Sequence, residues 1–199
     1  MNKLKRQIRI SRYVIYRETL VDPIEHFWSF VGAFFGIGTI AYIQSFWFTK
    51  FENIFLIGSF GASSVLIYGA IQSPLAQPRN VIGGHFFSAL TGVICAKLFP
   101  DILWLSAPLA VASSIVIMQI TKTLHPPGGA TALIAVSGGA KISELGFFYA
   151  LSPVLTGTLI LLIFAVIFNN ITSKRFYPSN KYKIKNKIKY FTSRFISNK

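Results

Sequence analysis

"TLHPPGGATALIAVSGGA", residues 123–140, is as apolar as a membrane helix, yet it carries two adjacent prolines and four glycines. Pro127 to Ala140 supplies 14 residues, which as α-helix rise about 21 Å at about 1.5 Å each, against a hydrocarbon core of about 30 Å. A proline disfavours helix at the residue before it, so His125 and Pro126 are expected to be extended and Pro127 to open the helix. The first free N–H groups would then belong to Gly128, Gly129 and Ala130. A helix that begins inside the membrane points these groups, and its positive dipole end, at whatever fills the space, which suits an anion. Irregular backbone at that depth is tolerated only if it is buried or lines a cavity.

The surrounding chain supplies the membrane context. It has 199 residues, is 52% hydrophobic and 13% charged, and has a mean hydropathy of +0.53; soluble domains carry about 25% charged residues. The composition is that of an all-α, polytopic transmembrane bundle forming one domain. Apolar segments span 27–48, 54–71, 81–99, 102–120, 127–140 and 147–168. The lone Cys95 allows no internal disulfide. The basic N-terminus lacks a following apolar stretch with a cleavage site, so it is expected to be retained.

Charge divides the chain into three parts. Residues 1–26 hold six Lys/Arg and three acids, residues 169–199 hold nine Lys/Arg and no acid, and residues 27–168 form the membrane region between them. Both tails are expected to be cytoplasmic by the positive-inside rule, in a bacterial inner (plasma) membrane, and to touch anionic lipid. A net charge of +14 could also suggest nucleic acid, but no binding fold or phosphate loop accompanies it. With both tails on one side the number of crossings is even, and six segments satisfy this.

The short fifth segment resembles the second. "GASSVLIYGA" (61–70) and "GATALIAVSG" (129–138) share a leading Gly-Ala, a small hydroxyl residue and an apolar run. Segments two and five of six are corresponding positions in a 3+3 inverted repeat, where short or broken helices mark a permeation site. Gly61, Ala62 and Ser63 would open the matching half-helix, with the Ser63 and Thr131 hydroxyls assisting the backbone N–H groups. Tight helix packing produces the same Gly-rich pattern, and the residues alone leave the two readings open. Gly84, Ser88, Gly92 and Ala96, recurring every four residues, read as a packing stripe, as do Gly32 and Gly36.

Three other residues carry possible chemistry. His85 and His125 lack a Cys, His or acid at metal-ligand spacing, so no metal or cofactor is expected. Each histidine is either proton-responsive beside an anion path or a neutral ring bonded to backbone. Arg79, in "QSPLAQPRN" (72–80), either attracts anions at a cytoplasmic mouth or is a positive-inside anchor. Arg79 and His85 are the candidates for gating or access. The acids lie at segment ends or in the tails, so there is no buried carboxylate pair for an enzyme and no mid-membrane acid for a cation carrier.

"GASSVLIYGAIQSPLAQPRNVIGGHFFSALTGV" (61–93), followed by "HPPGGATALIAV" (125–136), resembles the HPP family of integral membrane proteins. His125-Pro126-Pro127 matches its name motif, Gly129 to Ala132 the helix start that follows, and Gln77 to Asn80 with Gly84-His85 a second signature. The resemblance covers about residues 24–168. Gly128 stands where many members have Ala. The resemblance implies a multi-pass protein and a channel or transporter for a small inorganic anion, nitrite first, as associated with plastid and cyanobacterial members. The alternative is a non-transporting membrane anchor or sensor whose basic tails recruit a partner. The sequence leaves open whether the chain forms a homo-oligomer.

Overall fold

The computed structural model describes residues 23–47, 57–173 and 175–179. Most of the two basic tails drawn at 1–26 and 169–199, namely 1–22 and 180–199, lies outside the described residues. Those that are described are helical, with no strand among them. Four helical segments are long and apolar enough to cross a membrane: 23–46, 78–98, 103–120 and 150–168.

α1 (Pro23–Trp47) opens on a proline and carries Glu25 in its first turn, both favourable at a helix start. α2 (Gly58–Ser64) starts after the extended residue Ile57 and runs on as a π-helical turn, Val65–Gly69. A 3₁₀ turn at Pro74–Ala76 leads into α3 (Pro78–Leu98), again with proline at its first position. α4 (Leu103–Ile120) returns to the loop that precedes α5 (Pro127–Ser137). Gly139, at φ 82°, takes the left-handed turn that starts the short α6 (Ala140–Leu145). A second π-helical turn, Ala150–Leu155, is interrupted at Ser152, whose extended backbone precedes Pro153, and α7 (Thr156–Phe168) completes the bundle.

The two short helices were legible, but their limits differ from the sequence reading. The second segment opens one turn earlier, at Gly58 rather than Gly61, and no side-chain cap marks that start. The fifth ends at Ser137 rather than at Ala140. Eleven residues of α5 rise about 16 Å, so the helix is short against the bilayer, as expected.

The small-residue stripe packs as anticipated. A Cβ added to Gly84 would lie 2.5 Å from His125 Cβ, and one added to Gly92 would lie 2.5 Å from the Ala132 carbonyl oxygen. α3 and α5 therefore touch backbone to backbone, as small residues permit in membrane helices. Gly32 and Gly36 of α1 leave room for the Tyr68 ring, whose hydroxyl donates to the Leu161 carbonyl at 2.9 Å.

Residues beyond α7 belong to the fold, although the charge boundary placed a tail from 169. Asn169 Nδ2 donates to the Ile67 carbonyl, Tyr177 Oη to the Ala76 carbonyl at 2.6 Å, and the Ser179 amide to Gln77 Oε1. Arg175 donates to the carbonyls of Tyr68 and Glu25. The start of α1, the end of the α2 π turn, the 70–80 loop and the 169–179 segment thus meet at one end of the bundle. The 121–125 loop joins them there through Arg79 and Asn80, which donate to the Thr121 and Leu124 carbonyls.

Candidate functional site

Proline chemistry shapes the start of α5, but not as the sequence suggested. Pro126 is helical (φ −52°, ψ −39°), not extended, although another proline follows it. A tight turn forms in consequence: the Gly128 amide donates to the His125 carbonyl at 2.8 Å and the Gly129 amide to the Pro126 carbonyl at 3.0 Å. The N–H groups of Gly128 and Gly129 are therefore already used, which corrects the backbone anion cradle expected there. α2 differs in the same way. Gly61 and Ala62 lie inside the helix and are exposed, and a Cβ on Gly61 would meet nothing within 4 Å. Neither residue is part of the buried cluster.

The side chains converge instead. Ser63 Oγ lies 2.7 Å from His85 Nε2 and 2.9 Å from His125 Nε2, bridging two rings whose centroids are 4.9 Å apart. His85 Nδ1 is 2.7 Å from Thr131 Oγ1, which is 3.0 Å from Ser59 Oγ. His125 Nδ1 lies 2.8 Å from the Leu75 carbonyl oxygen. Ser59, Ser63, His85, His125 and Thr131 are all 0% exposed. The pairs Ser59–Thr131 and Ser63–His125 run in opposite order, so α2 and the opening of α5 pass each other antiparallel.

Each position has a local cause. Ser59 and Ser63 stand four residues apart and share a face of α2. Gly84 lets the His125 loop lie on α3, and His85, the next residue, turns into the gap between α2 and α5. Asn80 and Arg79 clamp the loop that holds His125. Tyr149 Oη donates to the Thr131 carbonyl at 3.2 Å, fixing α5 from the other side. Phe60 meets the His85 ring edge-on at 5.7 Å between centroids and shields it.

Of the residues singled out in the sequence, Ser63, His125, Thr131 and His85 are brought together. His85 sits at the centre of the cluster, not at a mouth. Arg79 is exposed and bonded to the Thr121 carbonyl, which makes it a loop anchor. Pro127 is buried and Pro126 exposed. Gly129 and Ala130 line an open groove of about 580 Å³ with Val111, Met118, Leu124 and Pro126, and neither histidine lines it. Sequence reasoning missed Ser59, Tyr149 and the Leu75 carbonyl. The four-residue spacing of Ser59 and Ser63 could have found the first.

Gly128 and Gly129 make a direct contrast. A Cβ on Gly128 would lie 2.8 Å from both the Gly84 carbonyl oxygen and Ser88 Oγ, whereas one on Gly129 would meet only Val111 Cγ1, at 3.8 Å. Gly128→Ala is expected to lower the melting temperature of the detergent-solubilised protein by several degrees, an overpacking cost of about 1–3 kcal/mol. Gly129→Ala is expected to match wild type, and differential scanning fluorimetry separates the two.

No group of three or more metal-ligating side chains occurs among the described residues. The cluster offers two imidazoles and three hydroxyls, and no carboxylate joins it. Such a set donates hydrogen bonds readily and carries no fixed negative charge.

The comparisons agree with this architecture. The chain is 43% identical over 165 residues, 81% of its length, to a transmembrane protein of Dictyostelium discoideum. It is 46% identical over 154 residues to another transmembrane protein of that organism. It spans 58% and 49% of the lengths of these relatives. No solved structure matches it. The model of the HPP transmembrane region matches residues 18–178, taking in the buried His-Ser-His cluster, the two short helices and the packed segment after α7, so the chain is an integral membrane protein of the HPP family.

Proposed function

We propose that the chain passes a small inorganic anion across the membrane, nitrite first, as a channel or transporter. The observation that carries this reading is the fully buried cluster of donors, free of carboxylates, where α2 passes the start of α5. A cation at that point would find no counter-charge, and a buried ion without a partner is costly. With α2 and α5 parted, an anion would find the Ser63 and Thr131 hydroxyls and the imidazole N–H groups, which bond to one another and to the Leu75 carbonyl while the helices are together.

The placement of the cluster's hydroxyls, Ser59, Ser63 and Thr131, on two short helices supports the 3+3 inverted repeat of six crossings, the arrangement in which broken helices hold the substrate. The shared end of the bundle reached by both ends of the described chain supports an even number of crossings, with both tails cytoplasmic by charge. The rings stand 4.9 Å apart with Ser63 between them, so passage requires α2 and α5 to separate.

Flux into proteoliposomes tests the proposal, comparing nitrite, nitrate, formate and chloride against protein-free vesicles. Saturable nitrite uptake is expected, reduced at least tenfold in Ser63→Ala and in Thr131→Val. If no anion moves while the protein is folded and oriented, the chain does not transport. The anchor or sensor reading then takes its place, and truncating the basic C-terminal stretch from 180 becomes the next experiment.

A further inference from the structure

We propose that Ser59, Thr131, His85, Ser63 and His125 form a one-ended proton relay that holds a single proton and couples its uptake to anion passage. The coupling rests on the transport reading above; the relay rests on geometry alone. Five hydrogen bonds join these groups in series and end on the Leu75 carbonyl, at 3.0, 2.7, 2.7, 2.9 and 2.8 Å.

A carbonyl oxygen only accepts, so His125 Nδ1 carries a hydrogen and donates to Leu75. In the neutral ring Nε2 then accepts, and Ser63 Oγ–H donates to it. The remaining bond of Ser63 is an acceptance from His85 Nε2–H, which leaves His85 Nδ1 to accept from Thr131 Oγ1–H. Thr131 Oγ1, which has Ser59 Oγ as its other acceptor at 3.0 Å, gives its hydrogen to His85 in this state. One fixed end thus sets the tautomer of both histidines and the sense of the four bonds from Thr131 to Leu75.

The same heavy-atom positions satisfy a second arrangement. A proton delivered to Thr131 Oγ1 moves one hydrogen across each of the next three bonds. The Thr131 hydrogen passes to His85 Nδ1, that of His85 Nε2 to Ser63, and that of Ser63 to His125 Nε2. Thr131 keeps the new hydrogen and donates it to Ser59, and His125 becomes an imidazolium donating to both Leu75 and Ser63. These three bonds have reversed, and no side chain has moved. Thr131 Oγ1 also lies 3.4 Å from the Pro127 carbonyl, a second acceptor for its hydrogen in this state.

The relay ends there, because the Leu75 carbonyl has no hydrogen to pass on. It therefore stores a proton rather than conducting one through. It stores one only, since two imidazolium rings with centroids 4.9 Å apart repel in a desolvated site. Among the described residues, the groups packed around it carry no other charge. α2 presents Ser59, Ser63 and Phe60, α5 presents Thr131, and the chain before the second π turn presents Tyr149, bonded to the Thr131 carbonyl. Arg79 is turned to Thr121 and Lys122 is exposed. Glu25 pairs with Arg175, Glu144 pairs with Lys141, and Asp101 is exposed in the turn after α3. The stored positive charge is thus left for an anion to neutralise.

Two measurements on the full chain test this. The first is ¹⁵N NMR of histidine-labelled protein in lipid nanodiscs. Near neutral pH it is expected to show hydrogen on Nδ1 of His125 and on Nε2 of His85. Acidification is expected to add one proton to the pair and move the His85 hydrogen to Nδ1, and in Ser63→Ala this exchange is expected to vanish. The opposite tautomers, or two protons taken up independently, overturn the relay. The second is nitrite flux with and without an inward proton gradient, corrected with protein-free vesicles. A several-fold acceleration is expected in wild type and none in His125→Asn, whose amide still donates to Leu75 but ends the relay. Wild-type flux that ignores the gradient overturns the coupling and leaves transport standing. Absence of flux in both conditions overturns transport and coupling together, while the NMR result still decides the relay.

Discussion

Leucine at Gly92 is expected to leave no monodisperse protein after detergent extraction, while leucine at Gly38 leaves wild-type yield. Both glycines sit in the interior of long apolar helices, so helix propensity alone predicts a gain at each. The environments separate them. A Cβ on Gly92 would lie 2.5 Å from the Ala132 carbonyl oxygen, 2.7 Å from Ala135 Cβ and 2.9 Å from Ala132 Cα. Two of these are backbone atoms of α5 that no rotamer change can move aside, so α3 and α5 must separate. Separation undoes the Gly84–His125 contact a turn or two further along the same face, and with it the loop that holds His125. One alanine-sized overpacking costs about 1–3 kcal/mol, and a leucine adds three more carbons in the same gap. A Cβ on Gly38 would meet nothing within 4 Å, and the residue is exposed on α1. Fluorescence-detected size exclusion of tagged variants reads the difference. Equal profiles for the two variants would show that the α3–α5 crossing does not hold the fold.

That crossing was legible in the sequence, because a period of four in Gly84, Ser88, Gly92 and Ala96 is a property of one helix and needs no partner to be seen. The short fifth helix was legible for the same local reason: prolines at 126 and 127 and glycines at 138 and 139 bracket it. What failed was finer. Gly61-Ala62 looked like a helix start because it echoed Gly129-Ala130, yet α2 begins at Gly58 behind an uncapped Ile57, which leaves no signature. Pro126 adopts helical angles against its local preference because the turn it makes closes two hydrogen bonds, from Gly128 and Gly129.

The pairing of the histidines could not be read at all. His85 lies on α3, His125 in a loop 40 residues later, and Ser63 on a third element, so no spacing relates them. Their meeting depends on a close approach that Gly84 permits and on two loop clamps from Asn80 and Arg79. Each of these residues carried another reading in the sequence: Gly84 as part of a packing stripe, Asn80 as part of a signature, Arg79 as a candidate for gating. The site expected from the sequence was built of backbone N–H groups, whereas the buried cluster is built of side chains. On α5 the buried cluster takes Thr131, about half a helical turn beyond Gly129 and on the flank of the helix rather than at its end.

Arg175→Ala is expected to destabilise the protein by about 3–5 kcal/mol, the range for breaking a buried ion pair from one side. Composition files Arg175 among nine basic residues of a tail, but its side chain is 3% exposed. It lies where the π turn Val65–Gly69 ends, and a helix end leaves carbonyls without partners. Arg175 Nη2 donates to the Tyr68 carbonyl at 2.6 Å, and Nη1 donates to the Glu25 carbonyl at 2.9 Å and to Ser29 Oγ at 3.2 Å. Nε faces Glu25 Oε2 at 3.3 Å. One planar group thus ties the C-terminal segment, the start of α1 and the end of the α2 π turn together. Lysine has no fork to span these partners, so Arg175→Lys is expected to recover less than half of the loss. Glu25→Gln leaves the carbonyl contacts intact and is expected to cost clearly less than Arg175→Ala. Adding Glu25→Gln to Arg175→Ala is expected to cost less than the sum of the two, because the carboxylate no longer remains buried without its partner. Thermal unfolding in a fixed detergent measures all four variants. If Arg175→Ala melts with wild type, the 169–179 segment is an ornament on the bundle rather than the cap of its broken helix.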